Sequence, residues 1–68
     1  MSDIGPLLHE LLNALAISRG HCEAVQMSLK GEIALTDEQK LDKLTRSIKA
    51  MDRIEGVSRE IRILVVGE

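Results

Sequence analysis

Two stretches of the chain repeat an apolar residue every three or four positions, and a break of eleven residues, 30 to 40, separates them. In the first stretch the repeating positions are Ile4, Leu8, Leu11, Leu15, Ser18, Cys22, Val25 and Leu29, of which Ser18 is the polar member. In the second stretch they are Leu41, Leu44, Ile48, Met51, Ile54, Val57, Ile61 and Leu64. This spacing is typical of amphipathic helices that pack along a heptad stripe. The sequence therefore predicts an all-α chain of two helices.

Start and stop signals set the expected helix ends. Ser2 or Asp3 can act as the N-cap of the first helix. Gly31 is of the type that commonly follows a helix, and Thr36 with Gln39 three positions later has the form of a capping box. We predict one domain over residues 1 to 68, with helix 1 at about residues 4 to 30, a turn at 31 to 36 and helix 2 at about 37 to 64.

Two residues within the predicted helices each have two interpretations. Gly56 marks either a bend or a close helix contact, or it is a tolerated surface glycine. Cys22 is either a small buried side chain in the apolar stripe or a reactive thiol.

A hairpin of two helices is too small to fold alone. Ordering 68 residues costs on the order of 100 kcal/mol, which requires burial of about 4,000 Å² of apolar surface. The single cysteine excludes an intrachain disulfide, and no spaced Cys and His set suggests a structural zinc. Leu7 and Leu12 also flank the stripe of helix 1, which makes it wider than one helix can cover. We therefore predict an antiparallel two-helix hairpin that forms a homodimer, a four-helix bundle.

Composition narrows the function classes. The formal charge of −2 and the absence of Phe, Trp and Tyr argue against nucleic acid as a partner. The apolar runs are far shorter than the roughly 20 residues that cross a bilayer, so we expect no membrane insertion and a cytoplasmic location. The length excludes an enzyme that needs its own nucleotide pocket.

His9 lies about 145° around helix 1 from the centre of the stripe, so it is expected to face solvent. His9-Glu10-Leu11-Leu12-Asn13 begins like the zinc-binding H-E-x-x-H motif, but Asn13 stands where the second ligand is needed. His21 is roughly 18 Å further along the helix, too far to share a metal ion with His9. We therefore predict no metal site. Without further information, an exposed His near a helix start is an ordinary surface residue.

The segment from His9 to Ala16, His-Glu-Leu-Leu-Asn-Ala-Leu-Ala, is continued by Gly-His-Cys-Glu at residues 20 to 23. This pattern resembles the H-box helix of the dimerisation and histidine phosphotransfer domain of two-component sensor histidine kinases. Ala14 stands where the family commonly has Pro. Helix 2, with Met51-Asp52-Arg53-Ile54 after its leucines, is similar to the closing helix of that domain, so the resemblance covers nearly the whole chain.

The resemblance implies that His9 accepts a phosphoryl group and exchanges it with an aspartate of a response regulator. Glu10 would orient or deprotonate the imidazole, or it is an ordinary surface Glu. Asn13 would position a water that dephosphorylates the partner's aspartate, or it is a solvated Asn. The chain would bind no cofactor, since ATP and Mg²⁺ would act only through a partner or a missing domain.

The resemblance also implies a docking surface for the receiver domain of a response regulator, and the ATP-binding domain of a kinase is a further possible partner. The residues expected at the receiver are Leu12, Ala16, Ile17, Gly20 and His21. In an alternative interpretation, Leu12 packs in the flank of the bundle instead. His21 is expected to contact the receiver or to pack in the bundle rather than to carry phosphate.

A second function is consistent with the same residues. The chain could be a non-catalytic dimeric hairpin that binds a kinase or another helical partner, with His9 playing no part.

Overall fold

The computed structural model describes residues 4 to 67, which form two α-helices joined by a short loop. Helix α1 is Ile4–Leu29 and helix α2 is Asp37–Val66. The predicted all-α hairpin is confirmed. The predicted first and last residues of each helix lie within two residues of the observed ones. The predicted N-cap residues, Ser2 and Asp3, lie outside the described residues.

The end of α1 is a glycine-terminated C-cap. Gly31 has a φ of 82°, which an L side chain rarely adopts. Its N–H donates to the carbonyl of Ser28 at 3.0 Å, and the N–H of Glu32 donates to the carbonyl of Met27 at 2.9 Å. These two hydrogen bonds form a Schellman motif, which satisfies carbonyls that the helix leaves free and turns the chain away.

The start of α2 is the capping box predicted from the sequence. The Thr36 hydroxyl accepts from the N–H of Gln39 at 3.0 Å, and the Gln39 side chain accepts from the N–H of Thr36 at 2.9 Å. The two caps fix the loop between the helices, so α2 returns along α1.

Small side chains make the contact between the helices. The buried residues are Ala14, Ser18 and Val25 of α1 and Ser47, Ala50 and Val57 of α2. At mid-length, the Ser47 hydroxyl donates to the Ser18 carbonyl at 3.2 Å and lies 2.9 Å from the Ser18 hydroxyl. Since its one proton goes to the carbonyl, Ser47 accepts from the Ser18 hydroxyl and, at 3.0 Å, from the Cys22 thiol. The polar interruption in the stripe of α1 therefore faces a polar partner on α2.

The predicted apolar stripe is divided between two surfaces. In α1, alternate members of the stripe face the other helix, and Leu8, Leu15 and Leu29 between them stay exposed in the single chain. In α2, Ile54, Val57 and Ile61 are the less exposed members, whereas the four members before them and the one after them stay exposed: Leu41, Leu44, Ile48, Met51 and Leu64. The cause is the set of small residues at the contact, which lets the helices approach along Ala14 and Ala50 rather than along the leucines. Cys22, for which burial was one expectation, is also exposed.

The hairpin buries little by itself. Among the described residues no Leu, Ile or Met is fully buried. The accessible surface of 5129 Å² exceeds by roughly 900 Å² the value of about 4,200 Å² expected for a compact monomer of 7.5 kDa. The molecule is an elongated rod, 47 Å long and 16 by 13 Å across.

Gly56 lies on the surface of α2. The helix continues through it, and a Cβ added there would meet no atom within 4 Å. Of its two interpretations, the tolerated surface glycine is the one that the structure supports.

Candidate functional site: the outer side of α1 and the adjoining groove

His9 lies in the second turn of α1 on the side that faces away from α2. The residue is exposed, as its position relative to the apolar stripe predicted. Its side chain makes no hydrogen bond or ion pair with any of the residues 4 to 67. Its imidazole is therefore open to a molecule that approaches the outer side of α1.

Beside this outer side, an open groove of about 460 Å³ runs between the helices. We call it the charged groove; its lining residues are Glu10, Asn13, Ala14, Ile17 and His21 of α1 and Arg46, Lys49, Ala50 and Arg53 of α2. Its lining has a positive balance of three cationic side chains against one carboxylate, although Arg46 is also paired with Asp42 outside the lining and the whole chain has a formal charge of −2. The groove therefore favours a partner with acidic groups.

Glu10 reaches across the charged groove to α2. Its Oε2 atom lies 2.6 Å from Nη2 of Arg53, which makes a close ion pair between the two helices. On a helix, residue 10 is turned about 100° from residue 9, and in this structure the turn directs Glu10 toward α2. The carboxylate expected to act on the imidazole of His9 is thus bound to a guanidinium of the other helix.

The predicted docking residues fall into three locations. Ile17 and His21 line the charged groove, and His21 is half-buried there. Ala16 and Gly20 are exposed on the outer side of α1, in line with His9. Leu12 is exposed at 63%, but it lies outside the groove.

Asn13 connects two of these locations. It follows His9 by one helical turn and also lines the charged groove. The amide therefore lies between the exposed imidazole and the cationic side chains of α2. The structure brings together Glu10, Asn13, Ile17 and His21, and it leaves His9 at the rim of the same region.

The basic residues of the groove are what sequence reasoning missed. Arg46, Lys49 and Arg53 share α2 with many acidic neighbours and are expected there as a solvated face. The register of the hairpin gives a signal for them, because a turn centred near residue 33 brings together residues whose numbers add to about 65. Glu10 is then level with residues near 55, within reach of Arg53.

The opposite side of the hairpin is apolar. Because the helices are antiparallel, residues displaced from the helix contact in the same rotational sense lie on the same side of the hairpin. On each helix the groove residues are rotated to one side of the helix contact. A set of exposed apolar residues is rotated to the other side. We call this set the apolar face; it consists of Leu8, Leu15 and Cys22 of α1 and Leu44, Ile48 and Met51 of α2. Leu12 adjoins the apolar face, which favours the bundle-flank interpretation of that residue.

Two general features of the described residues bear on the kind of site. No group of three or more His, Cys, Asp or Glu side chains within residues 4 to 67 is arranged to hold a metal ion. Neither helix combines the length and the apolar character that crossing a membrane requires, over the same residues.

Comparison with known proteins adds no relative. No protein-family model matches the chain, and neither a curated protein nor a solved structure matches it. The fold and the site alone define the class, an all-α helical hairpin with an exposed histidine beside a charged groove.

Proposed function

We propose that the chain is a dimerisation and histidine phosphotransfer domain of a two-component signalling system, with His9 as the phosphoacceptor. The observation that carries the proposal is the uncovered imidazole of His9 on the outer side of α1. The resemblance of residues 9 to 16 to an H-box supports it, and so does the helical hairpin in which that segment lies.

The apolar face supports the dimer on which this function depends. It leaves large apolar side chains exposed along both helices, and the surface excess of roughly 900 Å² is close to the 800 Å² or so that each partner of a standard interface buries. In our proposal two copies pack these faces together as a four-helix bundle. The outer side of α1 and the charged groove then stay open to a partner.

The chemistry asked of His9 is phosphoryl transfer. A nitrogen lone pair of the neutral imidazole attacks the phosphorus of an aspartyl phosphate on a receiver domain. A P–N bond forms while the P–O bond to the aspartate breaks, and the electron pair of that bond leaves with the carboxylate. The imidazole keeps the proton on its other nitrogen and becomes a phosphorylated imidazolium. This exposed helix needs to supply only position and reach, since the receiver brings its own Mg²⁺.

The neighbouring residues have supporting roles in the proposal. Glu10 holds or accepts the proton of the imidazole, and Asn13 positions a water for the dephosphorylation of the receiver. Ile17 and His21, with Ala16 and Gly20 beside them, contact the receiver. The positive balance of the charged groove suits the acidic surroundings of a phosphorylatable aspartate.

Autophosphorylation requires an ATP-binding domain, supplied by a partner or by another part of a longer kinase. On its own, the chain accepts phosphate from a phosphorylated receiver. We place the reaction in the cytoplasm, where response regulators act.

Transfer of label from receiver domains tests the phosphotransfer function. Receiver domains are charged with radioactive acetyl phosphate and Mg²⁺, freed of donor and mixed with the chain. We expect acid-labile, base-stable label on the wild type, and none on His9→Gln. The matched control, His21→Gln, removes the other histidine and keeps the label, although at a reduced rate if His21 contacts the receiver. Label that persists in His9→Gln would exclude His9 as the site.

The apolar face also supports the second candidate function, a non-catalytic hairpin that binds a helix of another protein. A strip of exposed apolar side chains from two adjacent helices is a surface that an amphipathic helix can cover. This function predicts that His9→Gln leaves partner binding and signalling unchanged. The same variant therefore separates the two candidates.

A further inference from the structure

The ion pair between Glu10 and Arg53 connects the two helices, unlike the other ion pairs with assigned partners. The other ion pairs with assigned partners link residues three or four positions apart on one helix: Arg19 with Glu23, Asp37 with Lys40, Asp42 with Arg46, and Glu55 with Arg59. Glu10 and Arg53 are 43 positions apart, and their contact joins α1 to α2 directly beside His9. A change in how the helices pack at this level would break it.

The pair is partly sheltered from water. The Glu10 side chain is 34% exposed, and its partner Arg53 is 65% exposed. Because neighbouring helical residues diverge by about 100°, Glu10 must leave the charged groove before its carboxylate can approach the imidazole of His9. In the structure the Glu10 carboxylate is bound to Arg53 and not to His9.

We infer that Arg53 is a positioning residue that holds Glu10 away from His9 and so restrains phosphorylation at that histidine. The inference rests on the proposed function and adds regulation to it. Breaking the ion pair frees the carboxylate to bind the imidazole N–H and to keep the proton on the nitrogen that does not react. A signal that shifts α2 against α1 near Arg53 would then raise the reactivity of His9.

Phosphoramidate tests the reactivity of His9 without any receiver domain. The imidazole nitrogen attacks its phosphorus, the new P–N bond to His9 forms, and the old P–N bond breaks with release of ammonia. The rate at His9 is followed by mass spectrometry of peptides, with free histidine added to the same reaction as the standard. Nitrogen NMR of the imidazole reports which ring nitrogen holds the proton.

Arg53→Gln is the central variant, and Arg59→Gln is its matched control. Arg59 is on the same helix, is 72% exposed and pairs with Glu55 of its own helix, so its loss removes the same charge without freeing Glu10. We expect Arg53→Gln to raise the rate at His9 about three- to fivefold, the range that a partly exposed ion pair can restrain. Arg59→Gln should leave the rate unchanged, and Arg53→Lys should restore most of the restraint.

Glu10→Gln shows whether Arg53 acts through Glu10. In that background, Arg53→Gln should no longer change the rate or the tautomer of His9. An increase that survives in Glu10→Gln overturns the inference, and so does an equal response of Arg53→Gln and Arg59→Gln. Either result leaves the proposed function intact, because that function fails only if label from a receiver never reaches His9. Thermal unfolding of each variant confirms that the rates are compared on folded protein.

Discussion

The two long sides of the hairpin are built from the same two helices and yet differ in kind. The apolar face presents exposed leucine, isoleucine, methionine and cysteine side chains along both helices. The charged groove, on the opposite side, presents three cations and a carboxylate around a floor of alanine. Permanent interfaces resemble the first, and interfaces that form and separate are more polar and resemble the second.

This difference suits the two sides of the hairpin to two kinds of partner. A surface that must stay dry is suited to one lasting partner, for which our proposal names a second copy of the chain. A surface with several exposed charges remains soluble between encounters and attracts its partner electrostatically. His9 lies beside the second surface, where a transient partner would approach it.

The largest expected effect comes from placing a charge on the apolar face. Leu15→Asp puts a carboxylate at the centre of the proposed dimer twice, once from each copy. Because an unpaired charge costs several kcal/mol to bury, we expect the dissociation constant of the dimer to rise about 100-fold or more. Sedimentation equilibrium measures the constant, and circular dichroism measures the loss of helix that follows dissociation.

Ile17→Asp is the matched control for that substitution. Leu15 and Ile17 are exposed by 46% and 52%, but Ile17 lines the charged groove. We expect the control to dimerise like the wild type. Equal weakening by both variants would show that the two sides do not differ as we propose.

Cys22 reports how two copies are oriented. It lies about 8 Å along the axis from the middle of α1, so a two-fold axis perpendicular to the helices would separate the two thiols by about 16 Å along the bundle. A two-fold axis parallel to the helices would place them level. A bismaleimide with a short spacer should therefore link the dimer with the parallel axis through Cys22, and failure to link it would favour the antiparallel dimer with the perpendicular axis.

The sequence predicted most of the fold, because the signals for it are local. Gly31 and the pair Thr36 with Gln39 fix the turn through contacts within six residues, and the structure contains both caps. The exposure of His9 was also predictable, since it depends only on its rotation from the apolar stripe.

The division of the stripe could not be predicted in the same way. Leu11 and Leu15 have the same chemistry, but the first turns toward α2 and the second toward the apolar face. The choice depends on Ala14 and on the small residues of α2 that it meets, and periodicity along one helix carries no information about the other. The pairing of Glu10 with Arg53 was not predicted either, because the turn sets the register of the helices but does not say which long side chains at that level meet.

The next largest effect is expected at the hydrogen bond between Ser18 and Ser47, which lies between the two helices. Ser47 is 1% exposed, and Ser47→Ala removes the acceptor of the Ser18 hydroxyl and leaves that group buried without its partner. We expect a loss of about 1 to 2 kcal/mol in the free energy of unfolding, measured by urea denaturation. Ser58→Ala, an exposed serine of the same helix, should change stability by less than about 0.5 kcal/mol.

The double variant of Ser18→Ala with Ser47→Ala completes this test. Replacing both serines leaves neither hydroxyl buried without its partner, so part of the lost stability should return. If the double variant is less stable than the single one by a further full step, the two hydroxyls contribute independently and the contact is not a coupled pair.

The smallest effect is expected where neither side of the hairpin is involved. Gly20 and Gly56 lie inside helices, and a Cβ at either would meet no atom within 4 Å. We expect Gly56→Ala and Gly20→Ala each to stabilise the protein by about 0.5 to 1 kcal/mol, because alanine is the better helix former and restricts the unfolded chain. Gly31→Ala, at a φ of 82°, should instead destabilise it by about 1 kcal/mol. Thermal denaturation measures all three, and a loss of stability in Gly20→Ala alone would show that the outer side of α1 is covered in the dimer, which would contradict the open approach to His9.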